Sequence, residues 1–143
     1  MAASTADRFN MPTVAIQFFL YPVAASTTIY ANCNVCTDTS GYLHLAADTA
    51  GYKYVGISQG NFNNSGGSNG TISAKVQPPT EIRYLEMDAV SPTIAWVTSP
   101  AYFTDDHTVA ISGTTNSIQA GVIAGITSTA AAGKVIVKLL ANT

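Results

Sequence analysis

Asp105, Asp106 and His107 stand side by side and are the first residues in this chain that could carry catalysis or hold a metal. Two carboxylates beside an imidazole can move protons or ligate a divalent ion, provided that all three converge. Successive side chains on a strand point to opposite faces, so neighbours in sequence do not meet at one substrate there. Asp is also a preferred turn residue. The expectation is a turn carrying solvated carboxylates, followed by a strand over 108–111. A small hydrolase would further require this group to converge with the other histidine, His44.

The remaining reactive side chains are sparse. Cys33 and Cys36 form a Cys-Asn-Val-Cys pair. A structural zinc site needs four ligands, and only His44 and His107 could complete one. A redox dithiol sits at a helix start in a βαβ context, which this sequence lacks, so both thiols are expected to pack as small apolar side chains. Asp38-Thr39-Ser40-Gly41 comes close to an aspartic-protease signature but contains an extra residue, and no second carboxylate is identifiable. The glycine-rich stretch 60–70 has neither phosphate-loop spacing nor the lysine that follows it. No serine nucleophile elbow or zinc-protease helix is present. The chain is therefore expected to be no enzyme, with no cofactor, no metal and no small-molecule substrate. Trp96, Tyr102 and Phe103 form the heaviest aromatic cluster. They suit either core and interface packing, the preferred reading, or the sugar-stacking platform of a carbohydrate-binding β-sandwich displayed on a particle surface.

Composition narrows the partners. Of 143 residues, 47% are hydrophobic and only 10% charged, well under the ~25% usual for soluble domains. Polar character comes from Thr, Ser, Asn and Gly, which leaves little repulsion between copies. Much of the surface is expected to be buried against other subunits. The net charge is −2, and Arg8, Lys53, Lys75, Arg83, Lys134 and Lys138 are scattered. With no basic patch to neutralise phosphates, no nucleic-acid partner is expected. The apolar run from Val14 to Ala25 is broken by Gln17 and Pro22. It is too short to span a bilayer and lacks the flanks of a signal peptide, so no membrane partner is expected and synthesis is read as cytoplasmic.

These residues would be positioned by short strands. Residues 1–12 are small and polar and end in Pro12; they read as an irregular arm. Thr13 to Leu20, the most apolar segment, reads as a strand or an extended docking segment. Strands are expected at 27–30, 34–37, 42–45, 53–58 and 71–77, with Gly56 marking a bulge or a close backbone approach. Ile72, Ala74 and Val76 should share a face. Asn61 to Gly70 reads as a loop, and Pro78-Pro79 ends the strand before it. From Glu81 to Ala89 the alternation changes phase near Leu85, which a bulge or two half-buried faces would explain. Residues 118–126 should alternate through Val122, Ala124 and Ile126; Ala130 to Gly133 should close the last hairpin, and 134–140 the last strand. No segment repeats apolar residues at helical spacing for three turns. About ten short strands with regular punctuation indicate an all-β fold, a compact β-barrel or a sandwich.

The order of these pieces resembles the small capsid cement, or head-decoration, proteins of tailed bacteriophages. The resemblance is carried by Thr28-Ile29-Tyr30, Gly41-Tyr42-Leu43, Ala47-Asp48-Thr49-Ala50-Gly51 and Tyr54-Val55-Gly56-Ile57. It continues through the run from Asn64 to Thr71, then Ser73-Ala74-Lys75-Val76, Asp105-Asp106-His107-Thr108-Val109, Ala120-Gly121-Val122-Ile123 and Gly133-Lys134-Val135-Ile136-Val137. It implies a β-barrel or β-tulip-like domain on the outer surface of the virion's icosahedral head, joining major capsid protein subunits, commonly as a homotrimer. It brings no catalytic residues. Residues 1–26 are more apolar than the family's entering segment and are assigned to an N-terminal arm, with the cement domain at 27–143. Val14, Ile16, Phe18, Phe19, Leu20 and Tyr21 are the residues expected to contact a capsid subunit or a second copy.

Overall fold

The runs of β-branched and aromatic residues become strands, and the Gly, Asn and Asp clusters between them become tight turns. The computed structural model describes residues 18–79, 82–87, 92–112, 114–127 and 134–140, and is all-β: twelve strands and one short 3-10 turn among those residues. The first half supplies β1 (Phe19–Pro22), β2 (Thr27–Ile29), β3 (Asn34–Thr37), β4 (Leu43–Leu45), β5 (Lys53–Ser58), β6 (Phe62–Asn64) and β7 (Ser73–Gln77). Five of these form an antiparallel sheet in the order β1-β7-β5-β3-β4, while β2 and β6 pair as a separate ribbon. Pro78-Pro79, which cannot donate to a ladder, separates this half from the next.

The second half holds β8 (Ile82–Met87), the 3-10 turn Ile94–Trp96, β9 (Pro100–Phe103), β10 (Thr108–Ala110), β11 (Gln119–Ile126) and β12 (Lys134–Leu139). Its strands close into a barrel in the order β10-β8-β12-β11-β9, the β8–β10 pairing being parallel. Closure removes the exposed edges that an open sheet of this length would leave. Along β12 the period-two pattern buries Val135, Val137 and Leu139.

The first-half sheet lies between two apolar layers. One face sends Cys36, Tyr54 and Ile57 into the core shared with Phe103, Val109, Ile123 and the barrel strands. The other face packs Val35, Leu43, Ala74 and Val76 with Val23 and Ile29, flanked by Ile72 and by Phe62 of the ribbon. Strict alternation would turn Tyr54 and Ile57 to opposite sides. A register shift between Val35 and Cys36 against β5 corrects this. At its centre Gly56 adopts φ +144°, and a Cβ there would lie 1.9 Å from the carbonyl oxygen of Gln77. Bulge and close approach are thus both present at this glycine.

Four expectations change. The boundary after residue 26 falls inside the folded unit: β1 pairs with β7, and Val23 and Ala24 are buried. The 61–70 loop contains β6, whose Asn64 is retained for hydrogen bonding despite poor strand propensity. β8 runs against β12 without a register break, so the bulge near Leu85 is absent from that pairing. In β11, register shifts around Ala120 and Ala124 turn Ala120 and Ile123 inward, while Val122 is only half-buried and Ala124 is exposed. The turn expected at 130–133 lies outside the described residues.

A buried polar link joins the halves. The Tyr54 hydroxyl donates to Asn34 Oδ1 at 2.7 Å, and Asn34 Nδ2 donates to the Asp106 carbonyl at 2.8 Å. Tyr54 also meets the edge of Phe103, with ring centroids 4.8 Å apart. Removing one partner leaves a buried polar group unsatisfied, which costs about 1–3 kcal/mol. Tyr54→Phe is expected to lose stability in that range and Asn34→Ala more, with strongly non-additive effects in the double variant. Urea midpoints at unchanged denaturant slope measure this, and simple additivity of the two losses would contradict the link.

Candidate functional site

Each cluster of polar side chains is built by a turn. Between β9 and β10 the chain bends through Asp105, Asp106 and His107. The turn is as expected, and within it the three side chains meet where a strand would separate them. His107 Nδ1 lies 3.1 Å from Asp106 Oδ1 and 3.2 Å from Asp105 Oδ1, and one ligand atom from each residue falls within 4.8 Å of the others. The same Asp105 oxygen accepts the backbone N–H groups of His107 and Thr108 at 2.9 and 2.8 Å. This is an Asx turn that starts β10, and His107 is largely exposed beside it. The Asp105 carboxylate already has a structural task.

His44 belongs to a different cluster. Its Nε2 lies 3.0 Å from Asp38 Oδ2, and its ring stacks on Tyr52 with centroids 5.0 Å apart. Asp38 Oδ1 accepts from the N–H groups of Ser40 and Tyr42. Since Cys36 pairs with His44 and Asp38 N–H bonds the Tyr42 carbonyl, Asp38 and His44 are diagonal neighbours on one face of the β3–β4 hairpin. That hairpin register is the signal that could have revealed the pair from sequence. Each histidine thus sits with its own neighbouring carboxylates, and the hydrolase arrangement requiring 105–107 and His44 together is not assembled. Cys36 is buried, and burial pushes its thiol up to about 12 against a weaker pull from the Ala47 backbone. It is protonated at neutral pH and serves as core.

The aromatic platform is also divided. Phe103 is fully buried, Trp96 is half-buried against the barrel core, and Tyr102 is half-buried at the adjacent position of β9. Neighbouring residues on that strand face opposite ways, so Tyr102 and Phe103 cannot stack on one sugar.

The contact residues expected near the N-terminus fare differently. Val14 and Ile16 lie outside the described residues. Phe18 precedes β1, and Phe19, Leu20 and Tyr21 lie in it, at the outer position of the five-stranded sheet. Phe19 and Tyr21 are opposite Val76 and Ala74, on the ribbon side; Leu20 is opposite Lys75, on the other side. Lys75 Nζ stands 5.0 Å from the centre of the Phe18 ring. Leu20 is 63% exposed, Phe19 44% and Phe18 42%. Val23 N–H bonds the Ile72 carbonyl on the β7 side. Backbone groups alternate in direction along a strand, so Tyr21 and Phe19 also point to β7, while Leu20 and Pro22 point outward. The N–H that proline lacks therefore falls on the outer edge, where its absence is tolerated.

The chain matches no protein-family model, no curated protein and no solved structure. The carboxylates of Asp38 and Asp105 are bonded into turns, and among the described residues no strand pairs with the outer edge of β1 at Leu20.

Asp48 shows how completely a turn can engage a carboxylate. Its two oxygens accept the N–H groups of Thr115 and Asn116, each at 2.7 Å, and its carbonyl accepts from Asn116 Nδ2 at 3.0 Å. The Thr115 bond is the main cause holding its carboxyl below the ordinary range, and the Asn116 contacts add to it. The Asp38 carboxyl is lowered chiefly by its bond to His44. With folded values below the ~3.9 of an unfolded Asp, this stabilisation is complete above about pH 4. It is lost as pH falls through the folded values, because the unfolded chain takes up the protons first. Asp48→Asn is expected to lower the urea midpoint at neutral pH and to shrink the fall seen on acidification. An acid-induced fall as large as in the parent would refute the assignment.

Proposed function

We propose that this protein is a structural virion component, a cement protein on the outer surface of a tailed-phage head that stabilises contacts between major capsid protein subunits. The observation that carries this reading is the outer edge of β1 around Leu20, where no strand pairs among the described residues, Phe18, Phe19 and Leu20 are exposed and no charge occurs from Phe18 to Val23; beyond Pro22 the same edge is closed by the bridge between Val23 and Leu43. Exposed edges are ordinarily covered, or blunted by charge or proline; this one has Pro22 at its far end and no charge at Leu20. An uncovered one fits addition of a strand from another chain, in which backbone bonds give affinity and flanking side chains give selectivity. The resemblance to head-decoration proteins, the all-β fold and the scarcity of charge support the same reading.

The mechanism follows from the edge. A strand of a capsid subunit adds beside β1 and covers Leu20 on one face and Phe19 on the other. Burying about 400 Å² of apolar surface yields roughly 10 kcal/mol gross, most of it offset by lost freedom. One copy then binds modestly. A homotrimer gripping three subunits gains from effective concentration and holds far more tightly. Screening acts on charge pairs, so attachment through this edge tolerates salt.

Co-sedimentation with expanded, undecorated heads tests the reading. The parent protein should saturate the heads and remain bound between about 0.05 and 0.5 M salt. Leu20→Glu, which places a charge in the apolar contact, should weaken binding at least about tenfold. Removing residues 1–17, which lie outside the described residues, keeps the sequence of β1 and separates any contribution of Val14 and Ile16 from that of the edge. Heads that never retain the parent protein, or retain Leu20→Glu equally well, would overturn the proposal.

A further inference from the structure

The turn after β1 is stitched to the loop that follows β6. Asn64 Nδ2 donates to the carbonyls of Val23 and Ala24, and Ser26 N–H to that of Gly67. Two further bonds involve consecutive residues: Ala25 N–H donates to Asn69 Oδ1 at 2.7 Å, and Gly70 N–H donates to the Val23 carbonyl at 2.9 Å. The fold requires both residue types here. Gly70 takes φ +76°, which side-chain-bearing residues avoid, and Ala25 needs a short side-chain acceptor at 69. The resulting Asn-Gly pair is also the dipeptide most prone to spontaneous deamidation, because glycine places no side chain in the way of its own nitrogen.

We infer that Asn69 is a latent modification site, gated by this clasp. In the reaction the Gly70 nitrogen loses its proton and attacks Asn69 Cγ. The bond from Cγ to the amide nitrogen breaks, and ammonia leaves. Water then opens the succinimide ring at either carbonyl, giving aspartate or isoaspartate; water is the only co-reactant. In the closed clasp the attacking nitrogen is engaged by Val23, and the carboxamide is held against Ala25. Both bonds must break before attack, although Asn69 and Gly70 are exposed to solvent. Modification therefore proceeds through local opening of the 23–26 turn, and its rate reports that opening. The product gains a negative charge, and isoaspartate also lengthens the backbone, so the clasp does not re-form as before.

Peptide mapping by mass spectrometry after incubation at mildly alkaline pH tests this, with the full chain kept folded or unfolded in urea. Deamidation at Asn69 should be at least about tenfold slower in the folded chain, the factor that about 1.4 kcal/mol of opening confers. Asn64→Ala, which removes three bonds from the clasp, should move the folded rate toward the unfolded one. Equal rates in folded and unfolded parent chain would overturn the inference. So would a folded Asn64→Ala protein that is as protected as the parent. If Asn64→Ala fails to fold, the ratio for the parent still decides the matter, with hydrogen exchange of the Gly70 amide as an independent measure of opening.

Discussion

The two halves of this protein are held in register by Asn34, a polar residue only 1% exposed at the start of β3. It accepts from Tyr54 and donates to the backbone of Asp106, so it fixes the first-half sheet against the β9–β10 turn of the barrel. A purely apolar contact between sheet and barrel would allow sliding, because hydrophobic burial is non-directional. The hydrogen bonds permit one alignment. Tyr54 must then face the barrel, which requires the shift at Gly56. The shift in turn allows Ile57 to join Tyr54 in the same core. Asp48, gripping the backbone at 115–116, repeats the arrangement near the surface with a carboxylate in place of an amide.

This construction accounts for the edge. The barrel covers the sheet where β3 and β5 cross it, as Cys36, Tyr54 and Ile57 show. β1 and β7 extend beyond that cover: Leu20 and Lys75, opposite each other, are both exposed. On the other face the ribbon shelters Tyr21 but leaves Phe19 partly open. The strand therefore overhangs on both sides, anchored at its far end by Val23 and Ala24. An overhang with a firm root can receive a partner without unfolding the domain, and the clasp from 64 to 70 supplies that root.

Much of the architecture was legible because it depends on local signals. β3 and β5 fall where alternation and turn residues place them, and Ile72, Ala74 and Val76 share a face. What escaped was tertiary. β6 is written with two asparagines, and only the geometry of the clasp explains Asn64 in a strand. The inward turn of Ile123 depends on register shifts that have no local signature beyond glycine. The turn at 105–107 was legible because Asp favours turns, whereas the meeting of its three side chains depends on the geometry of the bend itself. The β1 residues were recognised as unusually apolar, but their pairing partner lies more than fifty positions away and no local pattern indicates it.

The satisfaction of polar groups bears directly on function. Among the described residues no buried side-chain nitrogen or oxygen lacks a hydrogen-bond partner. Asp38, Asp48 and Asp105 each accept two backbone N–H groups that begin or close a turn. Withdrawing any of them would release the turn it organises. The backbone groups of Leu20 are different: they point to the outer edge, where among the described residues no strand pairs, while at the far end of that edge Ala24 N–H is bonded to the Leu43 carbonyl. Recognition by a strand edge needs no reactive side chain and no charge, and a chain with 10% charged residues has few charges to offer.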